Sequence, residues 1–171
     1  MLGGGDMIFA SVGSMLPFDR LVKAVDDWAA ANPDREVFIQ IGRGDYEPRH
    51  APWTRIMPAE EYRGRIRDAR LFVAHVGMGS ILQGLEERRQ MLLLPRHQAL
   101  KEHTTDHQLH TAKRFNDTPG LRIVDDVPAL QASMTELLDH PLAASEGIST
   151  VATVPLIAGV ADFLRAARGA R

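Results

Sequence analysis

Apolar residues in this chain form short runs that alternate with stretches of helical spacing. The short runs are bounded by glycine, proline or polar residues, which predicts buried strands. Between them, apolar residues recur every three or four positions, which predicts helices that pack on a sheet. The predicted strands are residues 7–12, 37–41, 54–57, 71–74, 91–94 and 121–124. The predicted helices are residues 17–31, 58–67, 81–85, 106–115, 125–138 and 155–168, with a loop at 140–154.

Strands that alternate with helices predict an α/β fold with a parallel, Rossmann-like sheet and helices on both faces. A length of 171 residues suits one domain, so residues 1–171 are interpreted as a single unit. The glycine-rich start, residues 1–6, is expected to be disordered, and the fold is expected to begin at Met7. The final segment, residues 155–171, is a candidate for docking a partner.

Composition excludes several classes of function. The formal net charge of −2 gives no reason to expect a nucleic-acid partner. The chain has no cysteine, which removes disulfides and thiolate chemistry and fits a reducing compartment, so a cytoplasmic location is expected. No apolar run is long enough to cross a membrane.

Two glycine-bearing turns follow predicted strands and precede predicted helices. Gly13-Ser14 follows the first strand, and residues 75–80, His-Val-Gly-Met-Gly-Ser, follow the fourth. Backbone N–H groups at such a turn face an anion at the helix N-terminus, so each turn is a candidate phosphate site. Each is equally compatible with close packing of helix on strand. Neither matches the G-x-G-x-x-G or the Walker A pattern, which disfavours NAD and ATP.

A histidine-rich segment follows the fifth strand. His103 and His107 have a spacing found in zinc sites, but Thr104 stands where H-E-x-x-H needs glutamate. A metal site is therefore the weaker interpretation, and exposed polar side chains are the simpler one. A third hypothesis is hydrogen bonding to a polyhydroxylated ligand, for which His, Gln, Asp and Thr supply donors and acceptors. The carboxylates form no evident acid–base pair.

Together, these motifs resemble the C-terminal, donor-binding domain of family 28 glycosyltransferases over residues 7–115. Within that family, the opening motif resembles the small catalytic subunit of the two-subunit UDP-N-acetylglucosamine transferase that builds dolichol-linked sugars. The motifs together are most similar to bacterial single-domain members that act in exopolysaccharide synthesis. The matching segments are Val12-Gly13-Ser14 with Phe18-Asp19-Arg20-Leu21, Gln40-Ile41-Gly42, His75-Val76-Gly77-Met78-Gly79-Ser80-Ile81-Leu82, Pro95-Arg96 and Asp106-His107-Gln108.

The resemblance implies half of a GT-B glycosyltransferase and a nucleotide-sugar site, with roles carried over by position. The residues implied against the diphosphate are Gly13, Ser14, Gly77, Met78, Gly79 and Ser80, and the matching motifs add His75 and Arg96 to the site. Ile56 and Met57 would flank uracil, whereas His107 and Gln108 would bind the donor sugar, with Thr111 nearby. Gln83 stands where a related N-acetylglucosaminyltransferase has a ribose-binding glutamate, so charge assistance to the ribose is lost.

The function implied is a UDP-sugar-dependent hexosyltransferase in exopolysaccharide or other lipid-linked glycan synthesis. No metal or cofactor is expected. Because one domain leaves no second wall for an acceptor, activity is expected only with an acceptor-binding, membrane-anchored partner that recruits the chain to the inner membrane face. The sequence is also compatible with a homo-oligomer. The alternative functions are a non-catalytic nucleotide-sugar-binding or regulatory module and a metal-dependent hydrolase.

Overall fold

The structure, a computed structural model, describes residues 6–143. Within that range the chain forms six strands and five α-helices, which mostly alternate. The strands are β1 Ile8–Ser11, β2 Val37–Gln40, β3 Trp53–Thr54, β4 Leu71–His75, β5 Met91–Leu94 and β6 Leu121–Ile123. The helices are α1 Asp19–Ala31, α2 Ala59–Asp68, α3 Met78–Glu86, α4 His107–Phe115 and α5 Val127–Asp139, with a 3₁₀ turn at Gln98–Leu100.

The strands form one sheet in the order β3-β2-β1-β4-β5-β6, and every neighbouring pair is parallel. The predicted parallel, Rossmann-like sheet is therefore confirmed. After β1 the chain builds outwards through β2 and β3, then returns to place β4 on the other side of β1. The strand order thus reverses between β1 and β4. In open α/β sheets this point forms a crevice at the carboxyl ends of the strands, where ligands bind.

Two hydrophobic clusters cover the two faces of the sheet. On one face, α1 and α5 contribute residues such as Leu21 and Met134 to a core with Ile8 and Ile39. On the other face, α2 and α3 pack Ile66, Ile81 and Leu85 against Phe9 and Phe72. Successive residues of β1 thus face opposite cores, which explains why the strands are continuous apolar runs rather than alternating ones. The sheet is therefore buried on both faces.

A buried carboxylate fixes the loop between β2 and β3. Asp26 in α1 is 0% exposed, and it accepts the backbone N–H groups of Arg49, His50 and Ala51 and the hydroxyl of Tyr46, at 2.8–3.0 Å. Burial raises the pKa of Asp26, but these hydrogen bonds outweigh it and the net effect lowers that pKa. Burial and the nearby Asp26 raise the pKa of Tyr46 to about 12. An acid within an amphipathic helix therefore anchors a loop that leads to the site.

The element boundaries differ from the sequence-based expectation in several places. The third strand covers Trp53–Thr54 rather than residues 54–57, and the 3₁₀ turn was not predicted. Helix α3 begins at Met78, so residues 78–80 form its first turn instead of preceding it.

The two chain ends lie largely beyond the described residues. Asp6, the last residue of the segment expected to be disordered, pairs with Arg35 and Arg70, whereas residues 1–5 are outside the described range. The predicted helix at 155–168 and most of the predicted loop at 140–154 also lie outside it. Among residues 6–143, no helix is both long and apolar enough to span a membrane.

Candidate functional site

A cavity of about 470 Å³ opens at the carboxyl ends of β1 and β4, where the strand order reverses. Most of the residues predicted for the site line it, although they come from four separate parts of the chain. Those residues are Gly13, Ser14, Ile56, Met57, His75, Gly77, Met78, Gly79, Ser80, Gln83 and Arg96. The structure therefore brings together both glycine turns and the two residues expected near the base.

Buried polar side chains form hydrogen bonds that fix the backbone of the loop after β1. Ser11 donates to Gln40 Oε1 at 2.6 Å and accepts the N–H of Gly13 at 3.1 Å. Gln40 Nε2 in turn donates to the carbonyls of Gly13 and Arg55. Gly13 has a φ of +75°, a left-handed conformation that glycine adopts without strain. The Tyr62 hydroxyl also donates to Ser11 Oγ, at 3.0 Å, so one network ties the loop to α2.

The N-terminus of α3 forms the opposite wall. The helix begins at Met78 after Gly77. The first N–H groups of a helix have no partner within the helix, and the helix dipole places partial positive charge there. A Cβ added to Gly79 would meet no atom within 4 Å, so this position faces open space. The wall can therefore accept an anion at close range.

The imidazole of His75 lies between the two glycine turns. A Cβ at Gly13 would approach His75 Nε2 to 2.8 Å, and one at Gly77 would collide with the ring. Glycine at both positions is thus required by the histidine, which explains two of the turn glycines without reference to a ligand. Burial and the positive charge of Arg96, with a smaller effect of His103, lower the pKa of His75 to about 3. The ring is therefore neutral at physiological pH.

Arg96 is a buried cation beside His75. The residue is only 3% exposed, and its Nη2 donates to the carbonyls of Val12 and Leu16 at 2.8 and 2.7 Å. Its guanidinium also lies over the ring of Phe18, 4.9 Å from the centroid. Burial lowers the pKa of Arg96 to about 10, so it remains charged near neutrality.

No carboxylate neutralises this charge within the described part of the chain. The charge of Glu102 acts on Arg96, but Glu102 pairs with Arg20 at 2.6 Å, and no salt bridge to Arg96 is found among residues 6–143. The cavity lining contains no Asp or Glu. A buried, unneutralised cation, a helix N-terminus and exposed glycine backbone together favour an anionic ligand.

The remaining predicted residues take different positions. His107 is exposed at the start of α4, and Thr111 donates to its carbonyl at 3.2 Å. Gln108 is 5% exposed and bonds to His75 and to the backbone of Arg96. None of the three lines the cavity. Their predicted contact with a donor sugar stays a prediction, although the amide of Gln108 is already occupied.

Several lining residues were not singled out as site residues from the sequence. Gln40 and Tyr62 line the cavity, as does Met15, whose side chain is 80% exposed. Gln40 and Ser11 are polar residues at the ends of apolar strands. A polar residue in that position could have indicated a role at the site. Nothing in the sequence indicated that Met15 is exposed, because an apolar residue two positions before Pro17 fits a buried contact equally well.

The histidine-rich segment does not form a metal site in the described range. Within residues 6–143, no three His, Asp, Glu or Cys side chains converge closely enough to hold an ion. His103 instead bonds to Thr105 in its own loop. The local contacts thus match the simpler interpretation of polar side chains near the surface.

The parallel strand order and the cavity at its point of reversal define a Rossmann-like α/β domain. The family model "Glycosyltransferase family 28 C-terminal domain" matches residues 7–157. The chain therefore belongs to this family, and the resemblance inferred from the sequence motifs is confirmed. Comparison with curated proteins gave no match.

Solved structures share the fold of this chain. The glycotransferase of kitacinnamycin is 23% identical with a TM-score of 0.58, over 82% of this chain and 37% of that one. MurG of Acinetobacter baumannii is 17% identical with a TM-score of 0.55, over 81% and 42%. ALG13, solved in solution by NMR, is 16% identical with a TM-score of 0.56, over 91% and 94%. The chain thus spans less than half of the first two proteins and nearly all of ALG13.

Proposed function

We propose that this chain is the donor-binding subunit of a glycosyltransferase that uses a UDP-sugar. The observation that carries the proposal is the cavity at the strand reversal, where buried Arg96 has no carboxylate partner among residues 6–143 and the N-terminus of α3 faces the same space. A diphosphate supplies the charge that this arrangement lacks. Membership of family 28 supports a glycosyl donor rather than another phosphate compound.

The donor is oriented by the chemistry of the cavity walls. The diphosphate lies against the α3 N-terminus and Gly13-Ser14. Uracil lies against Ile56 and Met57, two apolar side chains of the cavity lining. Gln83, one turn along α3 from Gly79, bonds a ribose hydroxyl. The sugar extends towards α4 and His107.

The reaction is transfer of the sugar to an acceptor hydroxyl. A bond forms between the acceptor oxygen and the anomeric carbon, the bond from that carbon to the β-phosphate oxygen breaks, and UDP leaves. Negative charge grows on the departing diphosphate, and fixed backbone amides with a helix dipole stabilise it there. These groups replace a divalent ion, so the reaction needs no metal. The acceptor's proton passes to a base outside the cavity lining, which has no Asp or Glu.

The acceptor is held by a second protein in this proposal. Transfer requires the acceptor to be positioned against the donor, and the cavity is open on one side. Three apolar side chains that line the cavity are exposed: Met15, Ile56 and Met78 are 80%, 61% and 42% exposed. The similar extent of ALG13 supports a subunit of this size. The partner is membrane-anchored, recruits the chain to the cytoplasmic face, and serves exopolysaccharide or another lipid-linked glycan.

A non-catalytic nucleotide-sugar-binding module is the second candidate. The observation that favours it is the absence of any acid in the described lining, which leaves proton transfer unassigned. Both candidates bind UDP-sugar, and only the first releases UDP in the presence of an acceptor. A metal-dependent hydrolase lacks a supporting geometry within residues 6–143.

The experiment measures UDP release by the purified chain with UDP-sugars and lipid-linked acceptors, with and without a candidate acceptor-binding protein. We expect release only when both proteins are present. Robust turnover by the chain alone would contradict the subunit proposal, and binding without turnover in every combination would favour the module. A truncation that lacks residues 155–171 tests the docking role of that segment, since a pull-down that survives it excludes the segment from the interface.

A further inference from the structure

The two ring nitrogens of His75 have different partners. Nδ1 lies 2.9 Å from Nη1 of Arg96 and 3.1 Å from Nε2 of Gln108. Nε2 lies 3.2 Å from Oγ of Ser80 and borders the space in front of Gly13. One nitrogen therefore faces the protein interior, and the other faces the cavity.

The direction of the hydrogen bonds at Nδ1 follows from chemistry. A guanidinium only donates, so Arg96 needs an acceptor. The amide of Gln108 is fixed because its Oε1 accepts the backbone N–H of Arg96 at 3.0 Å, which leaves Nε2 pointing at the ring. Both groups thus donate to Nδ1. That nitrogen carries no proton, and the single ring proton resides on Nε2 at the cavity side.

We propose that Arg96 and Gln108 are positioning residues that keep His75 neutral, with its proton on Nε2, so that this N–H donates to an oxygen of the bound diphosphate. The inference rests on the proposed function, because it assigns a task within the same donor site. It gives Gln108 a role through His75 instead of direct contact with the sugar.

The surroundings of His75 oppose any other protonation state. A proton on Nδ1 would displace both donors and leave Arg96 Nη1 without an acceptor. A doubly protonated His75 ring would place its positive charge within hydrogen-bond distance of the positively charged Arg96 guanidinium. The charged or titratable groups that act on the ring are Arg96 from the end of β5 and His103 from the following loop, whereas α3, α4 and the loop after β1 face it with neutral Ser80, Gln108 and Gly13.

The substitution Gln108→Glu tests the proposal with almost no change of shape. The carboxylate still accepts the N–H of Arg96 but cannot donate to Nδ1, and its charge favours a proton on that nitrogen. Nitrogen NMR of histidine-labelled protein reports the tautomer, with the His75 signal assigned by His75→Gln. Gln98→Glu is the matched control, since Gln98 is an exposed glutamine that makes no contact with His75. Calorimetry with UDP and with uridine accompanies the NMR.

In the unsubstituted protein we expect one His75 tautomer, protonated at Nε2, from pH 5 to 8. In Gln108→Glu we expect protonation at Nδ1 and a loss of UDP affinity of roughly tenfold or more, with uridine affinity little changed. An Nδ1-protonated His75 in the unsubstituted protein, or unchanged UDP affinity after the tautomer has switched, would overturn the proposal. Equal losses for UDP and uridine would reduce Gln108 to a general structural role, which also overturns it.

Two further measurements keep the outcomes separate. If Gln108→Glu does not fold, Gln108→Met removes the donor without adding charge, and a severalfold selective loss of UDP affinity is expected; no loss would refute the inference. If the unsubstituted protein binds no UDP although the tautomer is as expected, the proposed function fails. The hydrogen-bond assignment would then stand, and its assignment to a diphosphate would be refuted.

Discussion

Replacing Gly79 with valine should abolish tight donor binding without harming the fold. Gly79 is exposed in the first turn of α3 and lines the cavity. Because Gly79 lines the cavity and an added Cβ meets no protein atom within 4 Å, we expect the valine side chain to extend into the cavity. There it occupies the space in which a diphosphate oxygen would reach the helix N-terminus.

The expected magnitudes follow from this geometry. Glycine in a helix costs about 1 kcal/mol relative to alanine and valine about 0.7 or less, so the folding free energy should change by only a few tenths of a kcal/mol. Losing one charge-assisted hydrogen bond to the diphosphate costs roughly 1.5–3 kcal/mol, which corresponds to about a 10- to 150-fold weaker Kd for UDP. Binding and stability are therefore expected to separate cleanly.

The matched control is Gly64→Val in α2. Gly64 is also helical, and a Cβ there likewise meets nothing within 4 Å, but the residue does not line the cavity. Urea denaturation and calorimetry with UDP are measured on both variants. If Gly79→Val is stable and still binds UDP as tightly as Gly64→Val does, the glycine turn serves the fold alone and the site assignment is wrong.

Two further predictions concern stability and the donor sugar. Asp26→Asn should destabilise the protein by about 3 kcal/mol at pH 7, because the amide offers one acceptor oxygen to several buried donors. The folded state lowers the pKa of Asp26, so the stabilisation by its carboxylate is complete above the unfolded pKa of about 4 and is lost as pH falls through the lower folded pKa. Denaturation at pH 7 and pH 3 should therefore show a smaller stability difference between Asp26→Asn and the unsubstituted protein in acid. A constant difference, or an equal effect of the exposed Asp27→Asn, would contradict this prediction. His107→Ala should weaken UDP-sugar binding by roughly 0.5–1.5 kcal/mol and leave UDP binding unchanged, as measured by calorimetry. Gln108→Ala should weaken the binding of UDP and of UDP-sugar equally. The reverse pattern would indicate that Gln108 contacts the donor sugar directly.

The fold was predictable because its signals are local. Five apolar runs bounded by turn residues identified the longer strands, and their alternation with helical spacing identified the parallel sheet. The misplaced third strand is only two residues long, Trp53–Thr54, so its pattern carries little information. Lys101 ends the 3₁₀ turn in a left-handed backbone conformation, and the sequence did not predict it because glycine or asparagine usually occupies such positions.

Most residues of the site were predictable from the sequence, but the contacts between them were not. The glycine turns and Arg96 follow strands, which places them at one edge of a parallel sheet. The contacts between His75, Arg96 and Gln108 join residues 12 to 33 positions apart, and no local pattern specifies that Gln108 faces the ring instead of a ligand. Likewise, Asp26 lies within a helical pattern as an ordinary acid, and only the packing of the β2–β3 loop shows why it is buried.

The claim that the cavity binds a uridine diphosphate is tested most directly by calorimetric titration of the purified chain with UDP, ADP and NAD in excess EDTA. In the proposed complex, the charge of Arg96 and the N-terminus of α3 favour the diphosphate, and apolar Ile56 and Met57 flank the base. We predict that UDP binds more tightly than ADP or NAD and needs no divalent ion. Equal or stronger binding of ADP, or UDP binding that appears only when a divalent ion is restored, would contradict the account.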